Sequence, residues 1–178
     1  MQTTPLPISG ALKIIPRVFA DERGFFKETY ADERYRSAGV DDAFVQDNVS
    51  LSHRFVLRGL HGDPRMAKIV QVLSGRAFDV IADIRKESPT FGRWCAVTLT
   101  AQGHEQVYIP AGCLHGFLAL EDGTILSYKQ SALYDPSTEV GVRWNDPDLA
   151  IGWPLYGASP ALSPKDAANP TLRDLGYL

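Results

Sequence analysis

With 178 residues, 44% of them hydrophobic and 22% charged, the chain is long enough to bury a substantial core and reads as one domain over 1–178. A formal net charge of −3 argues against a surface built for nucleic acid or an anionic membrane. It leaves room for a local group of cations around a small anionic ligand. The opening Met1-Gln-Thr-Thr-Pro-Leu-Pro7 has neither the basic nor the apolar part of a signal peptide, and no apolar run is long enough to cross a bilayer, so the expected location is the cytoplasm. Cys95 and Cys113 lie in strand-like apolar surroundings without CxxC spacing and are expected as buried free thiols.

In chain order, Leu12 to Ile15 predicts a short strand stopped by Pro16. The segment from Phe19 to Glu28 predicts a turn with Gly24 as hinge, followed by a second strand. Helix formers over Ala31–Ala38, ended by Gly39, predict a short helix. From Phe44 the pattern is β: Phe44, Gln46, Asn48 and Ser50 share one face, and Val45, Val49 and Leu51 the other. Turn signals then recur at Ser74-Gly75, Pro89–Gly92, Gln102-Gly103, Pro110–Gly112 and Asp122-Gly123. Many short strands and few helical stretches predict an all-β sandwich or barrel. Past Pro136 the chain is irregular, and Trp144 and Trp153 predict that the segment from about 145 to 178 packs back on the barrel.

The chemistry gathers in Val56-Leu-Arg-Gly-Leu-His-Gly-Asp63 and Lys68, which bring an imidazole, a guanidinium and an ammonium together on strand-turn-strand. A histidine can remove a proton beside a carbonyl while fixed cations hold the enolate. Arg58 and His61 differ by an odd number, so a regular strand would set them on opposite faces. Both reach one cavity only if the strand bulges, and Gly59 is the natural place. That cavity is expected to hold Arg58, His61, Lys68, Gln46, Asn48 and His115. On the late strand Leu126, Tyr128 and Gln130 share a face. The bland readings are a core tyrosine at Tyr128, a helix N-cap at Asp166 and solvated charges at Arg58 and Lys68.

The box Pro110-x-Gly-x-x-His115 resembles the second motif of the cupin superfamily. No His-x-His accompanies it, so no metal is expected; Asp63 beside His61 and His115 is the one alternative set. The chain as a whole resembles the dTDP-4-dehydrorhamnose 3,5-epimerase family. It does so through Asp21-x-Arg-Gly-x-Phe26, Gln46-x-Asn-x-Ser50, Leu57-Arg-Gly-Leu-His61, Lys68-Ile-Val70 and Asp79-Val-x-x-Asp-x-Arg85. Ser88-Pro-Thr-Phe-Gly92, Tyr128-Lys129, Trp144-Asn-Asp-Pro147 and Leu162-Ser-x-Lys-Asp166 continue the match. The resemblance implies a cupin jelly-roll and cofactor-free inversion at C3, C5 or both of a nucleotide-linked 4-keto-6-deoxy sugar.

It implies His61 as base, Asp166 as its orienting partner and Tyr128 as acid, with Arg58 and Lys68 on the enolate. Arg23, Glu28, Gln46, Asn48, His115, Tyr134, Glu139 and Lys165 match ligand-binding positions. It also implies a homodimer with exchanged N-terminal strands, in which Arg23 and Glu28 reach the neighbouring subunit's site. The chain departs from the pattern after the histidine: His61-Gly-Asp-Pro-Arg-Met-Ala-Lys68 is shorter than usual and lacks an aromatic. Such loops are similar to those of epimerases for other sugar nucleotides, GDP- or CDP-linked sugars and heptoses included. A metal-dependent cupin enzyme and a non-catalytic sugar-nucleotide-binding cupin are the remaining alternatives.

Overall fold

Period-two alternation along short, turn-bounded segments produces sheets that bury one face each, and here two such sheets face one another. The computed structural model describes residues 1–178. The elements are β1 (Gln2–Pro5), β2 (Leu12–Ile15), β3 (Val18–Asp21), β4 (Gly24–Lys27), α1 (Asp32–Arg36), β5 (Gln46–Ser52), β6 (Leu57–Gly62) and β7 (Lys68–Ser74). They continue as β8 (Arg76–Asp83), β9 (Trp94–Thr100), β10 (Gln106–Ile109), β11 (Cys113–Ala119), β12 (Thr124–Gln130), β13 (Val140–Gly141) and α2 (Pro164–Ala168). A six-stranded sheet runs β1-β2-β10-β7-β12-β5 and a five-stranded sheet runs β13-β6-β11-β8-β9; β3 and β4 form a separate hairpin. This is the expected all-β jelly-roll with two short helices.

Val70, Val72 and Leu126 of the first sheet meet Ile81, Leu99 and Phe117 of the second in the inter-sheet core. The outer face of the five-stranded sheet, with Leu57, Leu60, Val80 and Leu118, is covered by Leu149, Ile151, Trp153 and Leu172 from the loop-rich end. The carboxylate of Asp146 fastens that segment by accepting the backbone N–H groups of Asp148, Leu149 and Leu172. The outer face of the other sheet packs Ile14, Ile69 and Tyr108 under Tyr35 of α1.

Three details depart from expectation. β1 is an additional edge strand, paired with β2, whose four residues are all exposed and so carry no alternation. The segment around Gly24 is a hairpin of two strands, with Phe19 opposite Phe26, rather than a turn and one strand. The helix α1 is shorter than Ala31–Ala38, because beyond Arg36 the Ala38 and Gly39 N–H groups bond only three residues back, to Tyr35 and Arg36, and the chain turns away at Gly39 with φ +93.

Candidate active site

A cavity of about 500 Å³ lies between the two sheets. Arg58 and His61 enter it from β6, His115 and Phe117 from β11, Lys68 from β7, and Leu126, Tyr128 and Gln130 from β12. The parity conflict between Arg58 and His61 is resolved by an irregularity in β6. Phe117 pairs with Arg58 and His115 with His61, so three residue steps on β6 span two on β11. Gly59 sits at this bulge with φ +121; a Cβ there would meet the Gly116 Cα at 2.6 Å and the His115 carbonyl oxygen at 2.8 Å. Only glycine fits, and both functional side chains face inward as a result.

α2 completes the wall. Ser163 is its N-cap and accepts the Asp166 backbone N–H at 3.0 Å, with Pro164 following. Asp166 is therefore not the cap. Its buried carboxylate is turned to His61, with Oδ1 2.6 Å from Nε2. Burial opposes its ionisation, but the His61 hydrogen bond and charge, with the Ser163 and Gly59 contacts, hold the carboxyl below its ordinary value. An ionised carboxylate only accepts, so Nε2 carries the hydrogen and Nδ1 keeps the lone pair. A second pair stands on β11 and β8, where His115 Nε2 lies 2.7 Å from Asp79 Oδ2.

Lys68 is buried, with Nζ 3.4 Å from the His61 carbonyl oxygen. Burial pushes its ammonium down to about 8, against the attraction of Glu139, Asp79 and Asp63. Arg58 is aimed by donating to Ser52 Oγ at 3.1 Å and the Leu51 carbonyl oxygen at 3.0 Å. Burial raises the Tyr128 phenol above its ordinary value; the nearby Arg58 pulls it down and Glu139 pushes it up. Tyr134, Glu139 and Lys165 form the rim, where Lys165 pairs with Glu139 and lies over the Tyr134 ring.

Gln46 and Asn48 do not line the cavity. Gln46 Nε2 donates to Asn48 Oδ1 at 2.9 Å and Asn48 Nδ2 to Gln130 Oε1 at 3.2 Å, so Gln130 occupies the wall in front of them. Arg23 and Glu28 are also elsewhere, on and just after the β3–β4 hairpin, paired with Asp21 and Arg34. The carboxylate of Asp63 is taken up by Arg65 and Thr138 rather than by the cavity. Ser50, Gln130 and Ser163 are lining residues the sequence reading did not select. Ser50 Oγ is buried with no protein partner, and it shares the Gln46–Asn48 face that the alternation had marked as polar. The short loop has a steric reason to lack an aromatic after His61: at Gly62 a Cβ would meet the Cys113 carbonyl oxygen at 2.7 Å.

The family model for dTDP-4-dehydrorhamnose 3,5-epimerase matches residues 5–174. The chain belongs to the dTDP-4-dehydrorhamnose 3,5-epimerase family. A member from Neisseria gonorrhoeae is 48% identical over 170 residues, covering 94% of this chain and 51% of the relative, so the chain spans about half the length of that protein. The crystal structure of an epimerase of this family from Legionella pneumophila in complex with dTDP-4-keto-L-rhamnose has a TM-score of 0.93 at 43% identity, covering 99% of this chain and 96% of that one. A 3'-monoepimerase from Streptomyces bikiniensis in complex with dTDP-quinovose has a TM-score of 0.90 at 40% identity, covering 98% and 91%. The chain is thus similar both to a protein described as a 3,5-epimerase and to one described as a 3'-monoepimerase.

Proposed function

We propose that the chain epimerises a dTDP-linked 4-keto-6-deoxy sugar of the dTDP-4-dehydrorhamnose type at C3 and C5, by proton abstraction and return. The observation that carries the reading is the 2.6 Å contact of His61 with Asp166 in a cavity shared with Tyr128, Arg58 and Lys68. C3 and C5 both flank the C4 carbonyl, so loss of a proton from either gives an enolate on the same oxygen. His61 Nδ1 accepts the proton, and Asp166 stabilises the imidazolium. Arg58 and Lys68 hold the enolate oxygen. His61 stands on the five-stranded sheet and Tyr128 on the six-stranded sheet, which suits removal of a proton from one face and its return to the other. The route requires no cofactor.

The remaining ligand contacts are assigned to His115 inside and to Tyr134, Glu139 and Lys165 at the rim, with Gln46 and Asn48 supporting Gln130. Arg23 and Glu28 are assigned to the nucleotide end of a neighbouring subunit's site, in a homodimer with exchanged N-terminal strands. Arg23 is 84% exposed and bonded only to Asp21, which leaves it free for that use. No helix is long and apolar enough to cross a membrane, and both cysteines are buried and free, in keeping with a cytoplasmic location.

The test is NMR of dTDP-4-keto-6-deoxyglucose with enzyme in deuterated water. Deuterium at C3 and C5 with inversion at both is expected; label at C3 alone makes the protein a monoepimerase, and no label at either overturns the reading. His61→Asn should lose exchange and conversion by about 10²–10⁴-fold, the range for removing a general base. Tyr128→Phe should keep exchange, because His61 can return a deuteron to the face it came from, while net inversion falls. Full inversion by Tyr128→Phe would assign the acid to another residue.

A further inference from the structure

The strap that carries Tyr134 and Glu139 over the cavity mouth, residues 131–139, has little core of its own: Leu133, Tyr134 and Asp135 are all exposed or half-exposed. Its Thr138 end is held by the short loop after His61. Thr138 Oγ1 donates to Asp63 Oδ2 at 2.5 Å and accepts from Arg65 Nη2 at 2.5 Å. Arg65 closes the ring by donating to both Asp63 oxygens, from Nε at 3.1 Å and Nη2 at 2.9 Å. At the other end of the strap the Ser131 N–H donates to the Ala67 carbonyl oxygen at 3.0 Å, and the Ala67 N–H donates to Ser131 Oγ at 2.8 Å. Asp63 itself is buried and fixed, its carbonyl oxygen accepting from the Met66 and Gly112 N–H groups. Further ties come from the Tyr134 N–H, which donates to Gln46 Oε1 at 3.1 Å, and from the Glu139–Lys165 pair; the ring adds the one that joins the strap to a rigid buried anchor.

We infer that Asp63, Arg65 and Thr138 form a latch that positions Tyr134 and Glu139 against the bound nucleotide sugar, setting affinity rather than the rate of proton transfer. The inference rests on the proposed function for what the rim binds. The latch touches neither His61 nor Tyr128 through any hydrogen bond, so its loss should leave the acid–base pair in place. These are positioning residues, not catalytic ones. The short His61–Lys68 loop thus has its own use: it brings Asp63 to the strap, and the glycine demanded at 62 is part of the same path.

Thr138→Val keeps the side-chain shape and removes the hydroxyl. Charge-assisted hydrogen bonds are the stronger ones, so KM is expected to rise about tenfold with kcat within about twofold of wild type. Thr138→Ser should restore KM, and the melting temperature should stay near that of wild type. Amide hydrogen exchange should accelerate over 131–139 and not in the strands, a readout that needs no turnover. Asp63→Asn keeps the buried shape but also removes an anion that favours the charged form of Lys68, so it should act in the same direction when compared with wild type well below pH 8. An unchanged KM with unchanged exchange overturns the latch, and so does a fall in kcat equal to the rise in KM. If wild type turns over no 4-keto sugar nucleotide, the functional reading fails by itself. The latch is then decided by strap exchange and by titration with dTDP, which Thr138→Val should bind more weakly.

Discussion

Burying an ammonium is unfavourable unless an anion faces it, and Lys68 is held at about 8 against an ordinary 10.5 chiefly for that reason. Above about pH 8 the native site releases a proton that the unfolded chain keeps until near 10.5. The unfolded state binds more protons in that window, so stability contributed through Lys68 rises with pH from about 8 to 10.5 and is least below it. Catalysis should run the other way, since the charged form is the one that holds an enolate. We expect kcat/KM, which reports the free enzyme, to fall as pH passes about 8. Lys68→Arg keeps a charge throughout and should lose that alkaline limb, while Lys68→Met should lose the pH-dependent gain in urea stability. A kcat/KM profile with the same alkaline limb in Lys68→Arg would show that another group titrates. The sequence placed Lys68 at the cavity, but a long charged side chain opening an apolar strand can also reach solvent, and its burial follows from β7 lying inside the six-stranded sheet, between β10 and β12.

At the scale of elements, the site depends on one irregular strand. The bulge in β6 was legible because Arg58 and His61 have opposite parity, and two residues of matched chemistry three positions apart demand an extra residue between them. The polar face of β5 was legible for the same reason, its exposure alternating from Gln46 to Leu51. The cap of α2 was open in the sequence: in Ser163-Pro-Lys-Asp166 either oxygen-bearing residue can start a helix, and only the tertiary partner His61 decides which one is free to leave the backbone. β1 was illegible because an exposed edge strand has no inner face to pattern. Replacing Gly59 by alanine tests the bulge. A Cβ would lie 2.6 Å from a backbone atom of β11, and φ +121 is strained for any other residue. We expect a loss of about 2–4 kcal/mol in stability, in the range of the larger single-site effects, together with loss of activity beyond what the unfolded fraction explains. Near-native stability and activity for Gly59→Ala would mean that β6 reaches the same geometry another way.

At the scale of the whole molecule, the chain leaves more apolar surface uncovered than its core requires. Val49 and Leu51 stand outward on β5, an edge strand of the six-stranded sheet, at 68% and 55% exposure. Phe25 and Phe26 stand on the β3–β4 hairpin at 59% and 69%. Edge strands and exposed aromatic hairpins are natural templates for a second chain. The same hairpin carries Arg23, with Glu28 immediately beyond, and neither reaches the cavity of its own chain. A C2 dimer would let each hairpin cover the partner and bring its charged tip to the partner's cavity, where a diphosphate needs cations. Every active site would then combine His61 of one subunit with Arg23 of the other, which predicts complementation between two inactive proteins. A His61→Asn variant and an Arg23→Ala/Glu28→Ala variant should each be nearly inactive alone. After subunit exchange in equal amounts, half of the dimers pair the two variants, and each such dimer holds one site with both elements intact. Activity should recover to about a quarter of wild type. A Phe26→Glu change in both variants should abolish the recovery by preventing association, with sedimentation shifting to the monomer. If the mixture stays inactive although the subunits have exchanged, Arg23 and Glu28 serve their own chain or none, and the shared-site dimer is wrong.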